Sequence, residues 1–153
     1  MVKSIYFVNP PNPHNMKGFP GSLLALDLWL RQSQLELKST ILDEEETVHE
    51  DLYESLSAKL QGAPEEAYFG ITCTTATYQD ALKTAMTLRD LRPNSTIILG
   101  GHHVTGQEQV ILREHPEIDY IITGEGEKAL ESLLQDDFRA QGIHSRSALL
   151  LIA

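Results

Sequence analysis

A single cysteine, Cys73, stands in the whole chain, which excludes an intrachain disulfide framework and any cysteine-based zinc or iron–sulfur site built from this chain alone. A reducing, cytoplasmic setting is the expectation that follows. Basic residues are also scarce. With 12 Lys and Arg against 22 Asp and Glu, the formal net charge of -10 disfavours a nucleic-acid or anionic-membrane surface, because phosphate binding needs clustered cations. Long hydrophobic runs are missing as well: Ile5 to Val8 is too short for a signal peptide and Ala148 to Ala153 too short to span a bilayer. No GxGxxG or GxxxxGKS/T run occurs. What remains is a soluble domain whose partner is a small molecule. At 153 residues and 41% hydrophobic it can bury a single core.

Apolar segments alternate between strand-like and helix-like spacing. Ser4 to Val8 reads as a strand, and the loop Asn9 to Gly21 cannot be helical because its prolines lack an N–H and fix φ. Leu23 to Leu30 is apolar nearly all round, predicting a helix buried on more than one side. Leu35 to Leu42 alternates as a strand, and the acidic run Asp43 to Glu46 reads as a solvated turn and helix N-terminus. The next helix places Leu52, Tyr53, Leu56 and Leu60 on one face, and Gly62-Ala63-Pro64 stops it. Ala67 to Ile71 is the third strand. Tyr78, Ala81, Leu82, Ala85 and Leu88 then recur at helical spacing up to Pro93. Ile97 to Leu99 is the fourth strand, Gly106 to Glu114 a helix, Ile118 to Ile122 the fifth strand, and Glu127 to Leu134 a helix with Leu130, Leu133 and Leu134 inward. Five strands alternating with five helices predict an α/β three-layer sandwich: a five-stranded parallel sheet in the flavodoxin-like (Rossmann-like) order 2-1-3-4-5. Residues 1–136 form the expected domain, with residues 137–153 an irregular tail that reads as a truncated linker.

In that order the switch point lies between strands one and three, so Asn9 to Gly21 and Thr72 to Tyr78 face each other at the carboxyl edge, where ligands of open α/β sheets collect. Thr72, Thr74, Thr75 and Thr77 form a dense row of neutral hydroxyls suited to amide and ribose groups; the alternative is local capping, for which Thr77 is placed. Cys73 between them reads as an inert buried thiol. Gly100-Gly101 permits close backbone approach by a bulky ligand, or makes a plain tight turn. His102, His103 and Thr105 add polar groups beside it, and a histidine here is a metal ligand, a proton shuttle or, as is commonest, a hydrogen-bonded rim residue. In Gly124-Glu125-Gly126-Glu127 a carboxylate at a helix N-terminus suits the dipole, while flanking glycines leave room for a ligand. Two carboxylates there repel phosphate.

These residues resemble the N-terminal cobalamin-binding domain of cobalamin-dependent radical SAM enzymes. The resemblance covers Lys3 to Leu134 and rests on an ordered set: Asn9-Pro10-Pro11, the stretch Phe69-Gly70-Ile71-Thr72-Cys73-Thr74 into Thr77-Tyr78, GGHHVT from Gly100 to Thr105, and Ile118 to Ile122 running into GEGE. It implies a corrinoid across the carboxyl edge of the sheet. Asn9, Pro10, Thr72, Thr74, Thr77, Tyr78, Gly100, Gly101, His103, Thr105, Gly124, Glu125, Gly126 and Glu127 become its cofactor-binding residues, with no catalytic residue and no protein metal ligand. No DxHxxG run occurs, so the resemblance implies base-off cobalamin without a protein histidine on cobalt. Family enzymes continue into a barrel with a CxxxCxxC run for the iron–sulfur cluster, which this chain does not contain, so the implied role is a binding module, non-catalytic alone, serving a radical SAM domain or partner protein. A degenerate flavodoxin-like domain with a structural or interaction role is the alternative.

Overall fold

A computed structural model of the chain describes residues 2–14 and 21–146. Six strands and five helices alternate: β1 (Lys3–Asn9), α1 (Gly21–Gln32), β2 (Leu37–Asp43), α2 (Leu52–Lys59), β3 (Tyr68–Thr72), α3 (Tyr78–Leu91), β4 (Thr96–Gly100), α4 (Glu108–Glu114), β5 (Tyr120–Ile122), α5 (Gly126–Leu134) and β6 (Ile143–Ser145). Short 3₁₀ turns at His49–Asp51 and His102–Val104 precede α2 and α4. The sheet order is β2-β1-β3-β4-β5-β6, with β1 to β5 parallel and β6 antiparallel to β5. The expected flavodoxin-like order is therefore present, extended by one strand.

Strand pleating explains why the apolar runs are nearly continuous. Successive residues point to opposite faces, and here both faces are covered. On one side Val8, Phe69, Ile71, Ile97, Leu99 and Ile121 pack against α2, α3 and α4 through Leu56, Leu60, Ala85, Leu88 and Ile111. On the other, Ile5, Phe7, Ile98 and Ile122 meet α1 and α5 through Leu23, Leu30, Ala129, Leu130 and Leu133. Crossovers on both faces leave every loop that leaves β1 to β5 at one rim of the sheet.

Three expectations are corrected. Helix α1 buries one face only: Leu23, Asp27 and Leu30 are inward while Leu28 is 51% exposed, and the half-exposed Trp29 donates its indole N–H to Glu131 on α5 at 3.0 Å. Tyr53 does not join the apolar face of α2; it is 54% exposed, because only Leu52, Leu56 and Leu60 lie on the stripe toward the sheet. The segment after α5 is not wholly irregular, since Ile143–Ser145 pairs with β5 and the sheet runs past residue 136. The apolar stretch Ala148 to Ile152 lies outside the described residues.

The acidic run is also only partly a solvated turn. Glu44 is completely buried, where it accepts hydrogen bonds from the hydroxyls of Thr47 (2.6 Å) and Ser55 (2.8 Å) and from the Lys59 ammonium (2.8 Å). Its backbone N–H donates to the Asn9 carbonyl, tying the ends of β1 and β2 together at the rim. Removing the carboxylate takes the acceptor from the half-buried Thr47 and Ser55 hydroxyls and the counter-charge from the more exposed Lys59 ammonium. Glu44→Ala is expected to lower unfolding free energy by about 1–3 kcal/mol in urea titration, and an unchanged midpoint would show that the three donors repair to water without cost.

Candidate functional site

The carboxyl rim is assembled from the loops after β1, β3, β4 and β5. The loop between β3 and α3 is held by its own threonines. The Thr74 N–H donates to the Thr77 hydroxyl (3.0 Å), the Thr77 N–H reaches the Thr74 hydroxyl (3.3 Å), and the two hydroxyl oxygens lie 3.2 Å apart. Thr77 immediately precedes α3, yet its side chain bonds back to Thr74 and makes no cap bond to the helix. It is buried and structural, whereas Thr74 stays exposed and Thr72 is half-buried at the strand end. Of the expected hydroxyl row, one member has therefore turned inward.

His103 leans over this loop. Its Nδ1 lies 3.2 Å from the Thr75 hydroxyl, and its ring centroid is 4.4 Å from that of Tyr78. Burial raises the Tyr78 phenol above its ordinary value, with the charges of Cys73, Glu114 and Glu117 adding to the effect, so it remains a neutral hydrogen-bonding group near pH 7. Burial pushes the Cys73 thiol up to about 12, in keeping with an inert side chain that is 2% exposed.

The glycines divide by role. A Cβ on Gly101 would lie 2.1 Å from the Cys73 carbonyl oxygen, and its φ of +120° is one that only glycine adopts without strain. The close approach at this position is thus between β4's exit and the neighbouring β3 loop, where the Cys73 N–H also donates to the Gly100 carbonyl (3.0 Å). Gly100 is under no such constraint, a Cβ there meeting only the Ile122 carbonyl at 3.5 Å. Gly126 packs toward Leu26 of α1 rather than into the rim. Gly124 combines a positive φ, +74°, with open space around its missing Cβ, as Gly106 does at +87° on the β4 side, and with Glu125 it is exposed at the rim. Glu127 lies in the first turn of α5, as the dipole favours.

Other expected contacts are differently committed. Asn9 donates its side-chain amide to Asp43 at 3.0 Å, toward β2 and away from β3, and Pro10 is buried. Thr105 is exposed just beyond the His102–Val104 turn. Several rim residues were not anticipated from the sequence. His14 bridges the crevice through its Nε2, 2.9 Å from the Ala76 carbonyl; its position in a proline-rich loop was the signal available. His49 pairs with the buried Asp80 of α3 at 2.5 Å and lines a cleft of about 280 Å³ between Pro11–Pro13 and Glu45–Glu50. His144 of β6 contacts Thr123, just before Gly124.

Chemically the rim from β3 to β4 is neutral. Residues 72–79 and 100–107 contain no Lys, Arg, Asp or Glu, only hydroxyls, amides and two histidines. Among the described residues no group of three His, Cys, Asp or Glu side chains is placed to hold a metal ion, and no helix is long and apolar enough to cross a membrane.

The B12 binding domain family matches residues 40–134. An uncharacterized methyltransferase of Pyrococcus horikoshii is 32% identical over 136 residues, covering 87% of this chain and 29% of that protein. Among solved structures, the chain resembles the cobalamin-dependent S-adenosylmethionine radical enzyme OxsB with aqua-cobalamin and S-adenosylmethionine bound (TM-score 0.70, 20% identity, 93% of this chain and 20% of that one). It likewise resembles the radical S-adenosylmethionine methyltransferase TsrM of Kitasatospora setae with cobalamin and a [4Fe-4S] cluster bound (TM-score 0.70, 19% identity, 95% and 29%). The chain thus spans less than a third of the length of each of these proteins. It belongs to the B12-binding domain family, whose match covers residues 40–134.

Because Gly101 is needed by the fold itself, a side chain there reports on stability before it reports on any ligand. Gly101→Ala is expected to cost at least about 2 kcal/mol of unfolding free energy, since strain and a backbone clash coincide. A wild-type thermal midpoint for this variant would remove the glycine's structural role.

Proposed function

We propose that this chain is the cobalamin-binding module of a radical SAM type enzyme, a methyltransferase or a related one, and is non-catalytic by itself. The observation that carries the reading is a rim free of fixed charge between β3 and β4, at the carboxyl edge of a domain whose family binds B12. The corrin periphery bears neutral amides, which pair with hydroxyls and backbone groups rather than with ammonium or carboxylate side chains. Thr72, Thr74, Tyr78, His103 and Thr105 would hold those amides, with Gly124 and Glu125 closing the far side. When bound, cobalamin supplies a cobalt centre able to carry a methyl group or an electron.

The protein's part is to orient the corrinoid and shield one face of it from water. His103 acts through Thr75 and Tyr78 as a positioning group on the rim, and the cobalamin is held base-off with no protein histidine on cobalt, in line with the missing DxHxxG run. Iron–sulfur chemistry needs three thiolates, and one cysteine cannot supply them, so the radical SAM barrel comes from another segment or a partner protein. A reducing cytoplasm suits that chemistry.

Purified protein mixed with hydroxocobalamin and desalted is expected to retain a corrinoid absorption band. Colourless protein with an intact circular-dichroism spectrum would instead support a degenerate flavodoxin-like domain with a structural role. After anaerobic iron and sulfide reconstitution, the chain alone is expected to form no 5′-deoxyadenosine from S-adenosylmethionine. Product above a no-protein control, and lost in Cys73→Ala, would show that the chain is an enzyme by itself.

A further inference from the structure

We infer that the segment following α5, outside the matched family region, is part of the cofactor site: Gly142 and His144 position the Thr123–Gly126 turn on which the corrinoid rim depends. The family match ends at residue 134, and both residues lie beyond it. Two separate contacts converge on Thr123. Its backbone N–H donates to the Gly142 carbonyl at 3.0 Å, and its hydroxyl lies 3.0 Å from His144 Nε2. Gly142, at φ +90°, presses so closely that a Cβ would lie 2.9 Å from the Thr123 carbonyl oxygen. The very next residue, Gly124, has a positive φ and open space beside it and is the glycine of the β5–α5 turn that faces solvent.

The consequence is directional. Strand β5 is only three residues long, and beyond Ile122 its parallel pairing with β4 ends, so the β5–α5 turn receives no further support from that side. Antiparallel pairing with β6 continues the support, since Ile122 faces Ile143 and the chain just before it, at Gly142, reaches Thr123. The half-buried imidazole of His144 then holds the threonine side chain inward, so that Gly124 and Glu125 point to solvent at the rim. Neither Gly142 nor His144 touches the open rim itself; both act through Thr123 as positioning residues.

This inference rests on the cobalamin reading, and its test separates the two. Hydroxocobalamin affinity is measured for wild type, His144→Ala, His144→Gln and Gly142→Ala, together with amide hydrogen exchange in the ligand-free proteins. His144→Ala is expected to weaken binding about tenfold, as loss of one hydrogen bond at a site implies, and to accelerate exchange at Gly124 to Glu127 while β1, β3 and β4 stay protected. Glutamine, whose amide nitrogen can stand where Nε2 stands, is expected to restore affinity to within about threefold. Gly142→Ala should reproduce the alanine phenotype by a different route. Wild-type affinity in both His144→Ala and Gly142→Ala would overturn the inference and leave the cobalamin reading standing, as would loss of protection across the whole sheet in both. A wild-type protein that retains no corrinoid would overturn the two together.

Discussion

A parallel sheet buried on both faces governs everything else in this molecule. Each parallel connection needs a crossover, each crossover needs a helix, and the helices can only lie on the two faces. Because Ile97 and Leu99 face one layer and Ile98 the other, the central strands β1, β3 and β4 have no solvated side on which polar function could reside. Function is pushed to the ends of the strands. The carboxyl end is favoured because the loops leaving β1, β3, β4 and β5 converge there beside helix N-termini.

The rim so produced is held together by a small number of cross-loop bonds. His14 ties the β1 loop to the β3 loop, His49 ties the β2 loop to α3, His103 ties the β4 loop to Thr75, and His144 ties β6 to the β5 loop. Four of the six histidines thus serve loop-to-loop contacts at this end of the sheet. Between β3 and β4 the surface carries no fixed charge, whereas the β2 side holds the His49–Asp80 pair and the β5 side presents Glu125.

Much of the fold was legible because the apolar pattern is strong. Alternation and helical spacing placed five strands and five helices, and the strand order followed from the flavodoxin-like reading of their alternation. β6 was not legible: Ile143-His144-Ser145 is short and polar in its centre, and only pairing with β5 makes it a strand. Tyr53 and Leu28 misled for a related reason, since an apolar side chain at the margin of a helical stripe is buried only if a neighbour reaches it. Within the site, the GGHHVT and GEGE runs were visible as sequence, but their roles were not separable. Gly101 serves a contact with Cys73, Gly126 a contact with Leu26, and Gly124 alone an open turn.

What the sequence determined by itself is the layer architecture and the carboxyl-edge location of its unusual loops. Those follow from periodicity and composition, which depend on local chemistry and on simple counts. What only the tertiary structure decided is the commitment of individual polar groups. Thr77 turned toward Thr74, Asn9 toward Asp43, Glu44 inward onto Lys59, and His144 onto Thr123. Each is a choice between water and a partner distant in the chain or set by a turn, and its outcome depends on which backbone segments the sheet brings within about 3 Å of one another.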